Sequence, residues 1–202
     1  MTAVVSLVVA AFALLVSGTT LWLTFLRRGS LKMTLPATVY FGPDGGADPG
    51  IKVYFRALLY STSKRGWIVE SMYVRVRRGE TSQNFNVWTY GDKQLARGSG
   101  LYVSEIGVVA NHHFLLPFDG TDFKFLAGLH LVEVYATCVA DAAPRLLRTI
   151  QLDVSAEHAT VIRSNENGIF FDWGPDANTY HAHVRPRPKP LPPDFFRELI
   201  ES

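Results

Sequence analysis

Ile51-Lys52-Val53-Tyr54-Phe55-Arg56-Ala57-Leu58-Leu59-Tyr60-Ser61 alternates in character from residue to residue. Ile51, Val53, Phe55, Ala57 and Leu59 fall on one side of an extended chain; Lys52, Tyr54, Arg56, Leu58 and Tyr60 fall on the other. Side chains switch faces at each step of a strand, so this period of two marks a strand with one buried face.

The same pattern recurs on both sides. Beyond a turn at Lys64-Arg65-Gly66, Met72, Val74 and Val76 alternate with Tyr73, Arg75 and Arg77, and Arg78-Gly79 closes a hairpin. The returning strand puts Phe85 and Val87 on one side and Asn84, Asn86, Trp88 and Tyr90 on the other. Two apolar bursts, Leu101 to Val103 and Val108 to Leu116, add a strand or two. Leu129 to Ala140 and Leu146 to Val154 make the strongest hairpin, with His130, Val132, Val134, Ala136 and Cys138 on one face of its first arm. Leu146, Ile150, Leu152 and Val154 share a face of the second arm. Ser155 caps a short helix to about Arg163, and Gly168 to Trp173 pairs with Thr179 to Val184 in a last hairpin. Towards the N-terminus, Leu31 to Phe41 reads as an edge strand, because Pro36 cannot donate to a ladder. Short strands with turn signals between them point to an all-β domain, an antiparallel β-sandwich of immunoglobulin-like or C2-like type with seven or eight strands.

Before this domain, Ala3 to Leu26 contains no charged residue and ends at Arg27-Arg28. Roughly 24 helical residues reach about 36 Å, enough to cross a hydrocarbon core of about 30 Å. A cleaved signal peptide fits less well, since its basic residues belong at the start and here they follow the apolar run. Arg27, Arg28 and Lys32 form a basic flank, which predicts a single-pass membrane protein with its domain on the cytoplasmic side, in a bacterial inner membrane. Cys138 is the one cysteine, so no internal disulfide forms. The expected division is 1–30 for the span and flank, 31–184 for the sandwich, and 185–202 for a proline-rich tail ending in a short helix.

The net charge of the 202 residues is +2, which argues against a nucleic-acid partner. No glycine-flanked serine elbow and no phosphate-binding loop occurs, and Cys138 lies on an apolar strand face. Catalysis and cofactors are therefore not expected. The alternative is a metal-dependent enzyme using His181 and His183, two apart on a strand and so on one side, with a third ligand from Asp172, Asp176, His112 or His113. Loop pairs Asp44 and Asp48, Asp119 and Asp122, and Asp172 and Asp176 offer oxygen ligands for calcium, but aspartate is also an ordinary turn residue.

A binding surface is the favoured reading. The outward sides of three successive strands carry Tyr54 and Arg56 with Tyr60, then Tyr73, Arg75 and Arg77, then Trp88 and Tyr90. Arginine and large aromatics combine apolar area with directed donors, the mixture enriched where proteins meet. The expected role is a membrane-anchored binding or scaffold module, with the lipid bilayer and a protein as partners; binding to anionic lipid by the sandwich is a further alternative. Arg187-Pro188-Lys189-Pro190-Leu191-Pro192-Pro193 suits a polyproline segment that docks in an aromatic groove or acts as a stiff spacer.

Overall fold

A computed structural model describes residues 2–44, 50–91, 96–98, 100–117, 119, 123–139, 141–164 and 166–187. The tail from Pro188 onward, where a terminal helix is expected, and the ligand candidates Asp48 and Asp122 lie outside the described residues.

The first element is an apolar helix, α1 (Thr2–Leu21), which widens into a π-helical turn over Trp22–Leu26. The amide of Arg27 closes that turn by donating to the Trp22 carbonyl at 2.8 Å. Ser6, Thr19 and Thr20 donate their hydroxyls to carbonyls four residues earlier, at 2.7 to 3.0 Å. Thus these three hydroxyls are satisfied on the helix's own backbone. None of its described side chains is buried against the domain. With 25 residues and no charged side chain, the helical segment is long and apolar enough to span a membrane.

Thirteen strands follow among the described residues: β1 (Leu31–Met33), β2 (Thr38–Pro43), β3 (Ile51–Ser61), β4 (Trp67–Arg78), β5 (Thr81–Phe85), β6 (Val87–Gly91), β7 (Ala96–Arg97), β8 (Leu101–Val103), β9 (Val108–Leu115), β10 (Gly128–Cys138), β11 (Arg145–Val154), β12 (Asn167–Gly174) and β13 (Thr179–Pro186). A short helix, α2 (Ala156–Ile162), joins β11 to β12. Its N-cap is Ser155, whose Oγ accepts the His158 amide at 3.1 Å. The larger sheet runs β13-β12-β2-β3-β9-β6-β7 with β1 also on β3, and the smaller runs β11-β10-β4-β5 with β8 also on β4. The protein is therefore mostly β, in two antiparallel sheets behind an apolar helix.

Both sheets contribute to one core. Phe41, Phe55, Phe114 and Phe171 of the larger sheet and Val74, Phe85, Val132, Val134, Ile150 and Leu152 of the smaller belong to a single buried cluster. Phe125 stacks on Phe41 at 4.2 Å and on Phe85 at 6.1 Å. Each such side chain contributes about 1.5–3 kcal/mol on burial.

Four differences from the sequence reading have local causes. Pro36 lies between β1 and β2 rather than inside one edge strand, and β2 is internal, paired with both β12 and β3. The residues after the Gly79 turn do not form one returning strand: β5 stays on β4, and beyond Asn86 the chain crosses to the larger sheet as β6. That crossing turns Trp88 into the core, where it is 3% exposed. On β11, a register shift opposite Val134/Tyr135 pairs Leu146 with Tyr135 and Arg148 with Val134, and Leu146 is left 52% exposed while Leu147 packs on the core. An extra residue against one partner residue is a β-bulge, and it reverses the face on which the following side chains lie.

Candidate functional site

The outer face of the larger sheet gathers aromatic side chains from five strands in one line. His183 of β13 is opposite Phe170 of β12, Phe170 is opposite Tyr40 of β2, Tyr40 is opposite Tyr54 of β3, and Tyr54 is opposite His113 of β9. Directly paired residues of antiparallel strands share a face, so this register produces a continuous crosswise row. Ring centroids are 5.7 Å apart for Phe170 and His183, 4.8 Å for Tyr40 and Phe170, and 4.6 Å for Tyr54 and His113.

Cations flank the row. Arg185 lies over Phe170 at 5.3 Å, and Lys52 over Tyr40 at 5.8 Å while pairing with Asp44 at 2.7 Å. Tyr54 and Arg56 both donate to Oδ1 of Asn111, at 3.1 Å each. Tyr40 sits deepest: Gly42 and Gly168 leave space under its ring, and a side chain added at either would lie within 2.5 Å of it. Burial, with Asp44 nearby, pushes the Tyr40 phenol up to about 12. His113 is pushed down to about 4, first by burial and then by the Lys52 charge. Its Nδ1 is buried without a hydrogen-bond partner.

The smaller sheet carries the other half of the expected surface. Tyr73 stacks on Tyr135 at 4.9 Å and 6°, and Arg75 lies over Tyr135 at 5.2 Å while donating to Asn84 at 3.1 Å. Arg77 pairs with Glu133 at 3.1 Å, and Tyr135 donates to the same carboxylate at 3.1 Å. Tyr54 and Arg56 therefore occupy one outer face and Tyr73, Arg75 and Arg77 the other. The third expected contributor faces inward: Trp88 donates to Nδ1 of the fully buried His112 at 3.2 Å and stacks on Tyr90 at 4.8 Å. Burial holds His112 down at about 4, and its Nε2 has no partner.

The histidine pair meets one carboxylate. His183 Nδ1 approaches Asp172 Oδ2 at 3.3 Å, and the other oxygen of Asp172 accepts from Thr38 at 2.7 Å. His181 is in register with Asp172 but its ring lies over Gly174. His112 is in the core and His113 is on β9, three strands from β12. Among the described residues no group of three or more His, Cys, Asp or Glu gathers as a metal centre would. Cys138 is buried, and burial raises its thiol, which suppresses the nucleophilic thiolate.

Tyr40, Phe170 and His113 were not among the expected binding residues. A signal was present in Thr38-Val39-Tyr40-Phe41-Gly42 and Gly168-Ile169-Phe170-Phe171-Asp172, where the side away from the core holds an aromatic between small or polar residues. Comparison of the chain with protein-family models, curated proteins and solved structures returns no match.

Proposed function

We propose that the chain is a single-pass membrane protein whose two sheets form a sandwich-like binding or scaffold module, presenting the outer face of the larger sheet to a protein partner. The row His183, Phe170, Tyr40, Tyr54 and His113 is the observation that carries this reading. It supplies rigid apolar area flanked by Lys52, Arg56 and Arg185, and a sheet face holds such groups in fixed register. Anchoring is supported by the length and hydropathy of α1, and a cytoplasmic domain by Arg27, Arg28 and Lys32 at its end. An immunoglobulin-like or C2-like sandwich remains the architecture that the strand spacing favours, here enlarged at both sheets.

The test is photo-crosslinking in native membranes from single positions on exposed side chains. A crosslinker replacing Arg56 or Arg185 is expected to give an adduct of discrete mass, and one replacing Arg77 is not. Discrete adducts from position 77 alone, or from none of the three, would overturn the assignment of this face.

A further inference from the structure

The end of the domain next to α1 combines exposed apolar side chains with basic ones. Four linking residues, Arg27 to Ser30, separate the helix from β1, and they reach at most about 14 Å when extended. Moreover they are tied down. The Ser30 amide donates to Thr62 Oγ1 at 2.7 Å, the Thr62 amide to the Ser30 carbonyl at 3.0 Å, and Ser63 Oγ to the Arg28 carbonyl at 2.9 Å. Gly29, at φ +60°, lies so close to Ser63 that a side chain there would fall 2.7 Å from its Cβ. The loop between β3 and β4 is thus held at the mouth of the helix.

Around that loop, large apolar side chains face outward. Ile106 is 87% exposed at the tip of the β8–β9 turn, Val139 64%, Tyr102 57% and Ile68 51%. Ile68 and Tyr102 are directly paired across β4 and β8, and the Val139 amide donates to the Ile68 carbonyl at 3.1 Å. The same end carries Arg27, Arg28, Lys64, Arg65 and Arg145. Its acidic residues are Glu70, Glu105 and Asp141, and Asp141 is engaged by Arg145. A recess of about 190 Å³ opens here, lined by Arg28, Arg65, Trp67, Tyr102, Cys138 and Val139. Trp67 is 5% exposed, with the Arg28 guanidinium 6.0 Å from its ring and that of Arg145, itself paired with Asp141, at 4.3 Å. Arg28 and Arg65 both line the recess, and no carboxylate is among its described lining residues, which makes it a place for an anion.

We propose that this end of the domain seats in the headgroup layer of the bilayer that α1 crosses, with Ile106, Tyr102 and Val139 at the interface and the recess at Arg28, Arg65 and Trp67 taking the phosphate of an anionic lipid. The inference rests on the reading of α1 as a membrane span. A tether this short keeps the end within reach of the surface, and the mixture of aliphatic, aromatic and basic groups matches the chemistry of that layer. The domain is then held at a fixed tilt, with the aromatic row standing off the membrane.

The full chain is reconstituted into nanodiscs of phosphatidylcholine, alone or with one third phosphatidylglycerol, and amide exchange is followed in the β3–β4 and β8–β9 loops. Exchange there is expected to slow in the anionic discs by about fivefold for each basic residue engaged, and to recover at high salt. Arg65→Gln and Ile106→Asp, both on exposed loops, are each expected to reduce the protection while leaving exchange in β10 unchanged, which controls for folding. Equal exchange in the two kinds of disc, with the chain incorporated, would overturn the seating. A chain that does not elute with either disc would overturn the membrane span instead. Protection by soluble glycerol phosphate in phosphatidylcholine discs would reassign the recess from lipid to a soluble anion.

Discussion

The two outer faces draw on the same residue types and arrange them differently. On the smaller sheet, Tyr73, Tyr135, Arg75, Arg77 and Glu133 stack, pair and hydrogen-bond with one another. On the larger sheet, the aromatic row is packed from below by glycines and flanked by cations, and His113 keeps a buried nitrogen without a partner. Lys52, Tyr54 and Arg56 on the larger sheet also have partners, so the difference lies in the continuous aromatic row and the left-over ring nitrogen, not in unpaired charges. Arginine and tyrosine on alternate strand positions do not distinguish these cases. The register does, because it decides which side chains stand directly opposite one another, and on the larger sheet it sets aromatic rings opposite in five neighbouring strands.

The largest expected contrast is in stability. Tyr40 is 5% exposed and fills the space over Gly42 and Gly168, whereas Tyr73 is half-buried in an exposed stack. Tyr40→Ala should therefore cost about 3–5 kcal/mol, the range of buried aromatic truncations. Tyr73→Ala should cost about 1 kcal/mol, the range of an aromatic pair. Urea denaturation of the detergent-solubilised chain measures both. Equal losses would mean that the two faces are built alike.

The next contrast is in pH dependence. His112 and His113 are adjacent on β9, one inside and one outside the larger sheet, and both are held down at about 4 against a usual value of 6.5. The folded state therefore binds fewer protons than the unfolded chain. Stability is full above pH 6.5 and is lost as pH falls towards 4, by about 3 kcal/mol for buried His112. His113 contributes in the same direction, with less weight because it is more exposed, and so does His130, which burial also lowers. His113→Gln should flatten the slope slightly and His112→Phe strongly, although the latter leaves the Trp88 N–H without its acceptor. Denaturation midpoints taken from pH 7 down to pH 4 decide this, and an unchanged slope in His112→Phe would refute the assignment.

Much of the fold was legible because a period of two survives in the sequence wherever one face is buried. Ile51 to Ser61, the Leu129 to Val154 hairpin and the Ser155 cap all follow from local pattern. What local pattern does not contain is which sheet a strand joins. Phe85 to Tyr90 reads as one aromatic-rich run in which only the adjacent apolar pair Val87-Trp88 hints at a change of face, yet the chain turns a corner at Asn86 and joins the other sheet. The proposed binding face was consequently half legible: Tyr54 and Arg56 belong to it, whereas Tyr40, Phe170 and His113 join only through pairings between strands distant in the chain. Leu146 shows the same limit on a smaller scale, since a bulge moves it outward without any change in residue type.

The smallest contrast is between ion pairs. Arg77 pairs with Glu133 on the smaller sheet and Lys52 with Asp44 on the larger, at 3.1 and 2.7 Å. Arg77 is 47% exposed, so solvent screens its attraction, and an exposed pair contributes about 0.2–1 kcal/mol. Glu133 is 10% exposed and accepts from Tyr135 as well, so replacing it removes two partners while replacing Arg77 removes one. A double-mutant cycle with Arg77→Gln and Glu133→Gln isolates the pair from the tyrosine contact. Its coupling energy should be below about 1 kcal/mol and should shrink in high salt, because the Debye length falls to about 3 Å at 1 M. For Lys52, which is 14% exposed and also lies over Tyr40, the corresponding cycle with Asp44 should retain more of its coupling in salt. Identical salt responses would remove the distinction between a network exposed to water and one packed against an aromatic row.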